Sequence, residues 1–210
     1  MKLDLRKHGT NINHGHGCNT KKGFLMIQHN NNRLIWIDLE MSGLDPATDK
    51  ILEIATIVTD DDLNIIAEGP NIIVHQSDEI LDSMNEWCQV QHKKSGLTEA
   101  VRASKICQEQ AEFETLQFLK DHCDENSTPM CGNSVWQDKF FLIQHMPELA
   151  EFFHYRIVDV SSIKLVLNRW TKHYRIFKKS ESHRALDDIK ESINELDFYR
   201  KNYFKLPGQL

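Results

Sequence analysis

Leu34-Ile35-Trp36-Ile37-Asp38-Leu39-Glu40 is the stretch that decides the architecture. Four consecutive apolar residues of aromatic and β-branched character mark a strand buried on both faces. The run then ends in two carboxylates. Residues two apart on a strand share a face, so Asp38 and Glu40 project together where the strand gives out. Open α/β sheets bind ligands beyond the carboxyl ends of their strands, which is where this pair falls. Two like charges held so close are costly unless a cation lies between them. Taken alone, such a pair is more often a solvated strand end.

Downstream, Gly43-Leu44-Asp45-Pro46 has turn chemistry. Residues 51–59 read as a second strand and 64–75 as a third, broken near Gly69-Pro70; the short connections predict an antiparallel meander. The period then becomes helical. Helices are expected over 81–90, 97–103, 111–122 and 135–145, with strands at 129–132 and 156–160. Ser161, with Ser162 behind it, can cap a helix running to Trp170. Ala185, Ile189, Ile193 and Leu196 repeat at the spacing of a final buried helix face. Three strands followed by helices alternating with two more predict an α/β three-layer plan around a five-stranded sheet.

The chain has 210 residues, 40% hydrophobic and 27% charged, an ordinary globular composition for one compact domain. No apolar run is long enough to suggest a membrane span, and no apolar stretch follows the early basic residues as in a secretory signal. Five cysteines without a C-x-x-C pair suit idle thiols in a reducing compartment, so a cytoplasmic protein is expected. A net charge of −6 argues against coating nucleic acid by bulk electrostatics but leaves room for local contacts. The charge is uneven: residues 164–184 carry seven basic side chains against Glu181 alone. Such a run is ordinarily a solvated surface, and drawing in an acidic substrate is an equally good reading. Residues 1–32 hold six asparagines, four glycines and four histidines without periodicity. They are expected to be disordered or over-extended, with Met26 a possible true start. The folded domain is expected over 33–206, with 207–210 a tail.

Further polar residues occupy comparable topological positions. Asp138 falls early in the helix after the 129–132 strand, and Asp187-Asp188 begin the last helix, preceded by His183. Oxygen ligands without thiolate partners suit Mg²⁺ or Mn²⁺ rather than zinc. Each aspartate alone is more simply a charge favourable to a helix N-terminus. His183 and Asp188, five apart, converge only if His183 sits in the approach to the helix, with Ser180 or Ser182 capping it.

Taken in order, Asp38-x-Glu40, Asp138 and His183-x-Ala185-x-x-Asp188 resemble the three motifs of the DEDDh 3′→5′ exonucleases. The surrounding stretches at 34–46, 131–134 and 153–156 are similar to the oligoribonuclease family within that group, over about residues 33–206. The resemblance implies an RNase H-like fold, with a mixed five-stranded sheet flanked by helices. It implies hydrolysis of short RNAs, diribonucleotides especially, to 5′-nucleoside monophosphates. Two divalent cations, Mn²⁺ or Mg²⁺, would be held by Asp38, Glu40, Asp138 and Asp188, the arrangement that clamps an in-line displacement. His183 would be the general base, imidazole being the side chain that exchanges protons near neutrality.

The same resemblance implies that Leu44 and Trp87 stack on bases and that His92 contacts the substrate. Ser134, Arg156 and Ser161 would hold the 5′ phosphate. Tyr155 and Arg156 would act across the interface of a homodimer. Read from the sequence alone, Leu44 is as well a turn residue, and Trp87 and Tyr155 core aromatics. The alternatives are a broader DEDDh exonuclease, for DNA proofreading or tRNA trimming, and a catalytically silent nucleic-acid-binding module.

Overall fold

The structure, a computed structural model, describes residues 32–173, 175–178 and 183–204. The readings of residues 1–31, of Ser180 and Ser182 and of the 207–210 tail lie outside the described residues. Strands β1 (Arg33–Met41), β2 (Ile51–Asp60) and β3 (Ile65–Ile73) form the expected meander, followed by α1 (Asp78–Ser83), α2 (Glu86–Lys94), α3 (Leu97–Ala103) and α4 (Gln108–His122). Then come β4 (Pro129–Gly132), α5 (Trp136–His145), α6 (Pro147–Phe152), β5 (His154–Asp159), α7 (Val160–Trp170) and α8 (Ala185–Tyr203). The sheet order is β3-β2-β1-β4-β5, antiparallel on the β2 side of β1 and parallel on the β4 side. No described helix is long and apolar enough to cross a membrane.

Strand parity sorts the two layers. Ile35, Ile37 and Leu39 face a core shared with Leu116, Phe141 and Phe152 of α4, α5 and α6. Trp36 faces the opposite core, with Ala55, Ile57, Val160, Ile189 and Ile193. Asp38 and Glu40 share the parity of Trp36, so they emerge on the side where α8 packs. Nine of the ten residues of β2 are buried, as expected of a strand with a layer on each face. The fully buried Trp36 donates from Nε1 to Thr59 Oγ1 at 3.0 Å, so its indole is satisfied within the sheet.

Three expectations need correction, and one helix was not expected. Residues 81–90 are not one helix: the chain breaks at Met84, and Asn85 starts α2 by accepting from Cys88 N at 2.9 Å. The third strand is not broken at Gly69-Pro70, because a register shift between Ala55 and Ile57 absorbs the pair on this edge strand. The cap of α7 is Asp159 rather than Ser161; the strand ends one residue early, and its carboxylate accepts from Ser161 N at 2.8 Å and Ser162 N at 3.3 Å. Helix α6, unforeseen, begins with Pro147, whose missing N–H is harmless in a first turn.

Candidate active site

The carboxylates converge as parity dictates. Asp38 and Glu40 from β1 and Asp188 from the first turn of α8 each place an oxygen within 4.8 Å of the other two. Asp187 points to solvent while Asp188 is half-buried, so the helix itself chooses between the neighbouring aspartates. Asp138 is buried and held differently: its Oδ1 accepts from Leu39 N at 2.9 Å. That bond ties the first turn of α5 to the backbone between the two β1 carboxylates.

The electrostatics are those of crowded, partly buried carboxylates. Burial, then the charges of Asp188, Glu53 and Asp138, push the Glu40 carboxyl up to about 8. Burial likewise pushes Asp138 up to about 7, against the lowering effect of the Leu39 hydrogen bond. Oxygen donors crowded in this way fit hard divalent cations, which remove the repulsion that raises Glu40.

His183 lies two residues before α8, in the approach its spacing from Asp188 requires, with a left-handed φ of 49°. Its ring meets Trp87 edge-on, centroids 6.0 Å apart. Trp87 and Leu44 are exposed, at 61% and 74%, so neither is a core residue. Together with Glu40, Gly43, Asn85 and His92 they line a cavity of about 440 Å³ beside the carboxylates. The Leu44 turn is fastened from two sides. Gln137 Nε2 donates to Leu44 O at 2.7 Å, and Asp49 accepts from Ser42 Oγ at 3.1 Å and Asp45 N at 2.9 Å. Gly43 packs against that Asp49 carboxylate so closely that a Cβ would overlap it, at 2.3 Å.

His92 sits beneath the cavity rather than on its rim. It is buried, and its Nε2 bonds Met41 O at 2.9 Å; a carbonyl only accepts, so the proton is on Nε2. Nδ1 is left without a hydrogen-bond partner, 3.9 Å from Glu40 Oε2. Burial keeps this imidazole neutral by lowering its pKa.

Ser134 and Ser161 are brought together, Oγ to Oγ at 3.2 Å, and Asp159 links them further by accepting from Ser134 N at 3.1 Å. Ser134 is the second site residue with a left-handed backbone, φ 54°. Tyr155 and Arg156 are not gathered with the carboxylates. They lie exposed on the edge strand β5, the Arg156 guanidinium 5.2 Å from the Tyr155 ring centre. Part of the basic run has structural partners: Lys164 reaches buried Glu195 at 3.4 Å, and Arg175 Nη1 donates to Asn202 Oδ1 at 3.0 Å.

One residue went unnoticed in the sequence. Glu53, fully buried in β2, is the cross-strand partner of Glu40 and pairs with Arg184. A single acid inside a nine-residue buried strand was the signal that could have found it.

Comparison with known proteins identifies relatives of the chain. A family model described as an exonuclease matches residues 35–196. The oligoribonuclease of Haemophilus influenzae (strain PittGG) is 56% identical over 174 residues, 82% of this chain and 96% of that protein. That of Mannheimia succiniciproducens is 54% identical over 183 residues, covering 87% and 98%. Among solved structures, E. coli exonuclease I in complex with a 5cy-dT13 oligonucleotide superposes with a TM-score of 0.64. At 14% identity, over 82% of this chain and 41% of that one, it bears on the fold alone. The sheet order and this neighbour make the fold RNase H-like, and the chain belongs to the oligoribonuclease family of exonucleases.

Proposed function

We propose that this protein is a 3′→5′ exoribonuclease that hydrolyses very short RNAs, diribonucleotides above all, to 5′-nucleoside monophosphates. The observation that carries the reading is the convergence of Asp38, Glu40 and Asp188 beside a cavity walled by exposed Leu44 and Trp87. Asp38, Glu40 and Asp188 would hold two divalent ions, Mn²⁺ or Mg²⁺, with Asp138 completing the set directly or through water. Such ions supply Lewis acidity to the attacking and leaving oxygens of an in-line displacement.

His183 takes the proton of the attacking water as its oxygen bonds to phosphorus and the bond to the 3′ oxygen breaks, that oxygen leaving as a 3′-hydroxyl with a proton from solvent. Leu44 and Trp87 grip the bases by stacking, which tolerates any sequence. His92, lining the same cavity with an unpartnered Nδ1, would contact the substrate there. Ser134, Ser161 and Arg156 close around the 5′ phosphate, where a longer chain collides. Arg156 and Tyr155 belong to a second copy's site in a homodimer. In support, both are exposed on the edge strand β5, and Tyr155 lines one surface cavity with exposed Ile143 of α5.

The test uses 5′-phosphorylated RNAs of two, five and twenty nucleotides, with Mn²⁺ and with chelator, products resolved by chromatography. Fast, metal-dependent conversion of the dinucleotide with a slow twenty-mer is expected. Preference for the twenty-mer would move the protein to the broader exonucleases. No turnover at any length would point to a silent binding module.

A further inference from the structure

We infer that Glu53 and Arg184 form a clamp, buried at its Glu53 end, that sets the position of His183, making both positioning residues for the proton transfer. This rests on the role proposed for His183. His183, the residue before the α8 N-cap, has a left-handed backbone that brings its imidazole beside Trp87, and for a residue with a Cβ that conformation is unfavourable. It persists only where the neighbouring backbone is over-determined. Among the described residues the N-cap itself does not do this, since Arg184 makes no side-chain cap hydrogen bond.

Glu53 does it from across the sheet. Arg184 Nε donates to Glu53 Oε2 at 3.0 Å and Nη2 to Oε1 at 2.8 Å, a parallel fork. Ala185 N approaches the same Oε2 at 3.5 Å. One carboxylate therefore fixes the two residues that follow His183.

The placement of Glu53 follows from the register. It is paired with Glu40, and parity directs it to the α8 layer. It is thus a further carboxylate beside the cluster, but its charge is committed to a guanidinium. Glu53 is fully buried and Arg184 half-exposed, so the fork works where water competes little. The pair adds no net charge beside the carboxylates while anchoring the start of α8, the helix that carries Asp188.

The test uses charge-conserving variants, Glu53→Asp and Arg184→Lys, which keep the local electrostatics but lose the fork. With the dinucleotide, kcat should fall at least tenfold in each while KM and Mn²⁺ affinity by calorimetry stay within about threefold. In metal-free protein, the His183 ring resonances, assigned by their loss in His183→Ala, should shift in both variants. If both variants keep kcat within twofold and leave those resonances unmoved, the clamp is refuted. A loss of kcat matched by an equal loss of Mn²⁺ affinity would also refute it, assigning the pair to the metal site. Should Glu53→Asp fail to fold, Arg184→Lys, altered at a half-exposed position, decides the matter alone. A fully active His183→Ala would overturn the general-base role instead, while the resonances still decide whether the clamp sets the ring.

Discussion

Glu40→Gln should make the metal-free protein more stable at pH 8 while abolishing activity. Folding raises the Glu40 carboxyl from an ordinary 4.5 to about 8. Between those values the folded protein holds a proton that the unfolded chain has released. Metal-free stability must therefore fall as pH rises through that window, by about 1.4 kcal/mol per unit for one such group. His92 works in the opposite direction at lower pH: its depressed pKa makes stability rise with pH up to the ordinary histidine value. His145, depressed by burial too, acts likewise, and scanning from pH 6.5 to 8 leaves at most about 0.4 kcal/mol from each histidine. Over this interval Glu40 alone costs about 2 kcal/mol, a drop of roughly 4–8 °C in Tm for a domain of this size. Asp138, raised to about 7, adds to the early part of the same slope.

Thermal melts in chelator at pH 6.5, 7.25 and 8 measure this directly. The wild type should lose Tm across the series, and Glu40→Gln should lose much less. Adding Mn²⁺ should restore the wild type at pH 8 and barely affect the variant, since a cation stabilises the ionised form. A wild-type Tm in chelator that is flat or rising from pH 6.5 to 8 would refute the picture of crowded, partly protonated carboxylates.

Asp188→Asn should abolish turnover of a dinucleotide whereas Asp187→Asn, altered at a solvent-facing position, should stay within a few-fold of wild type; the reverse order would misassign the pair. Trp87→Ala should raise KM about tenfold, consistent with a stacking contribution of roughly 1–3 kcal/mol, and leave kcat within a few-fold, as steady-state kinetics would show. Arg156→Ala should erase the preference for dinucleotides over longer chains, so equal loss at all lengths would count against a phosphate cap. Sedimentation of the wild type should give a dimer, and an active monomer would remove the role of Arg156 and Tyr155 across an interface.

The site was more legible than the helices that frame it. Asp38 and Glu40 followed from strand parity, a fixed period of backbone geometry, whereas Asp188 was set apart from Asp187 only by the motif of the family the sequence resembles. Helix boundaries obey weaker local preferences. Met84 and Asn85 interrupt an apparently continuous pattern because the Asn85 side chain satisfies a backbone N–H of the following turn. Asp159 displaced Ser161 as the α7 cap because the end of β5 decides which residue arrives first. Trp87 and Leu44 read as ordinary apolar residues, and only their exposure beside the carboxylates marks them. Glu53 escaped because its meaning depends on Arg184, 131 residues away, and nothing local announces that partner.

The alternation along β1 ties accuracy of assembly to chemistry. A shift of β1 by one residue against its neighbours would turn Asp38 and Glu40 into the layer now filled by Leu116, Phe141 and Phe152, and Ile37 and Leu39 toward the α8 side. Two carboxylates would then be stranded in hydrocarbon, and the same slip would dismantle the acidic cluster. A single-residue insertion or deletion within β1 should therefore never yield a stable but inactive protein. Folding yield and nuclease activity should vanish together, so that turnover per soluble molecule stays constant across variants of this strand that keep its carboxylates and still fold.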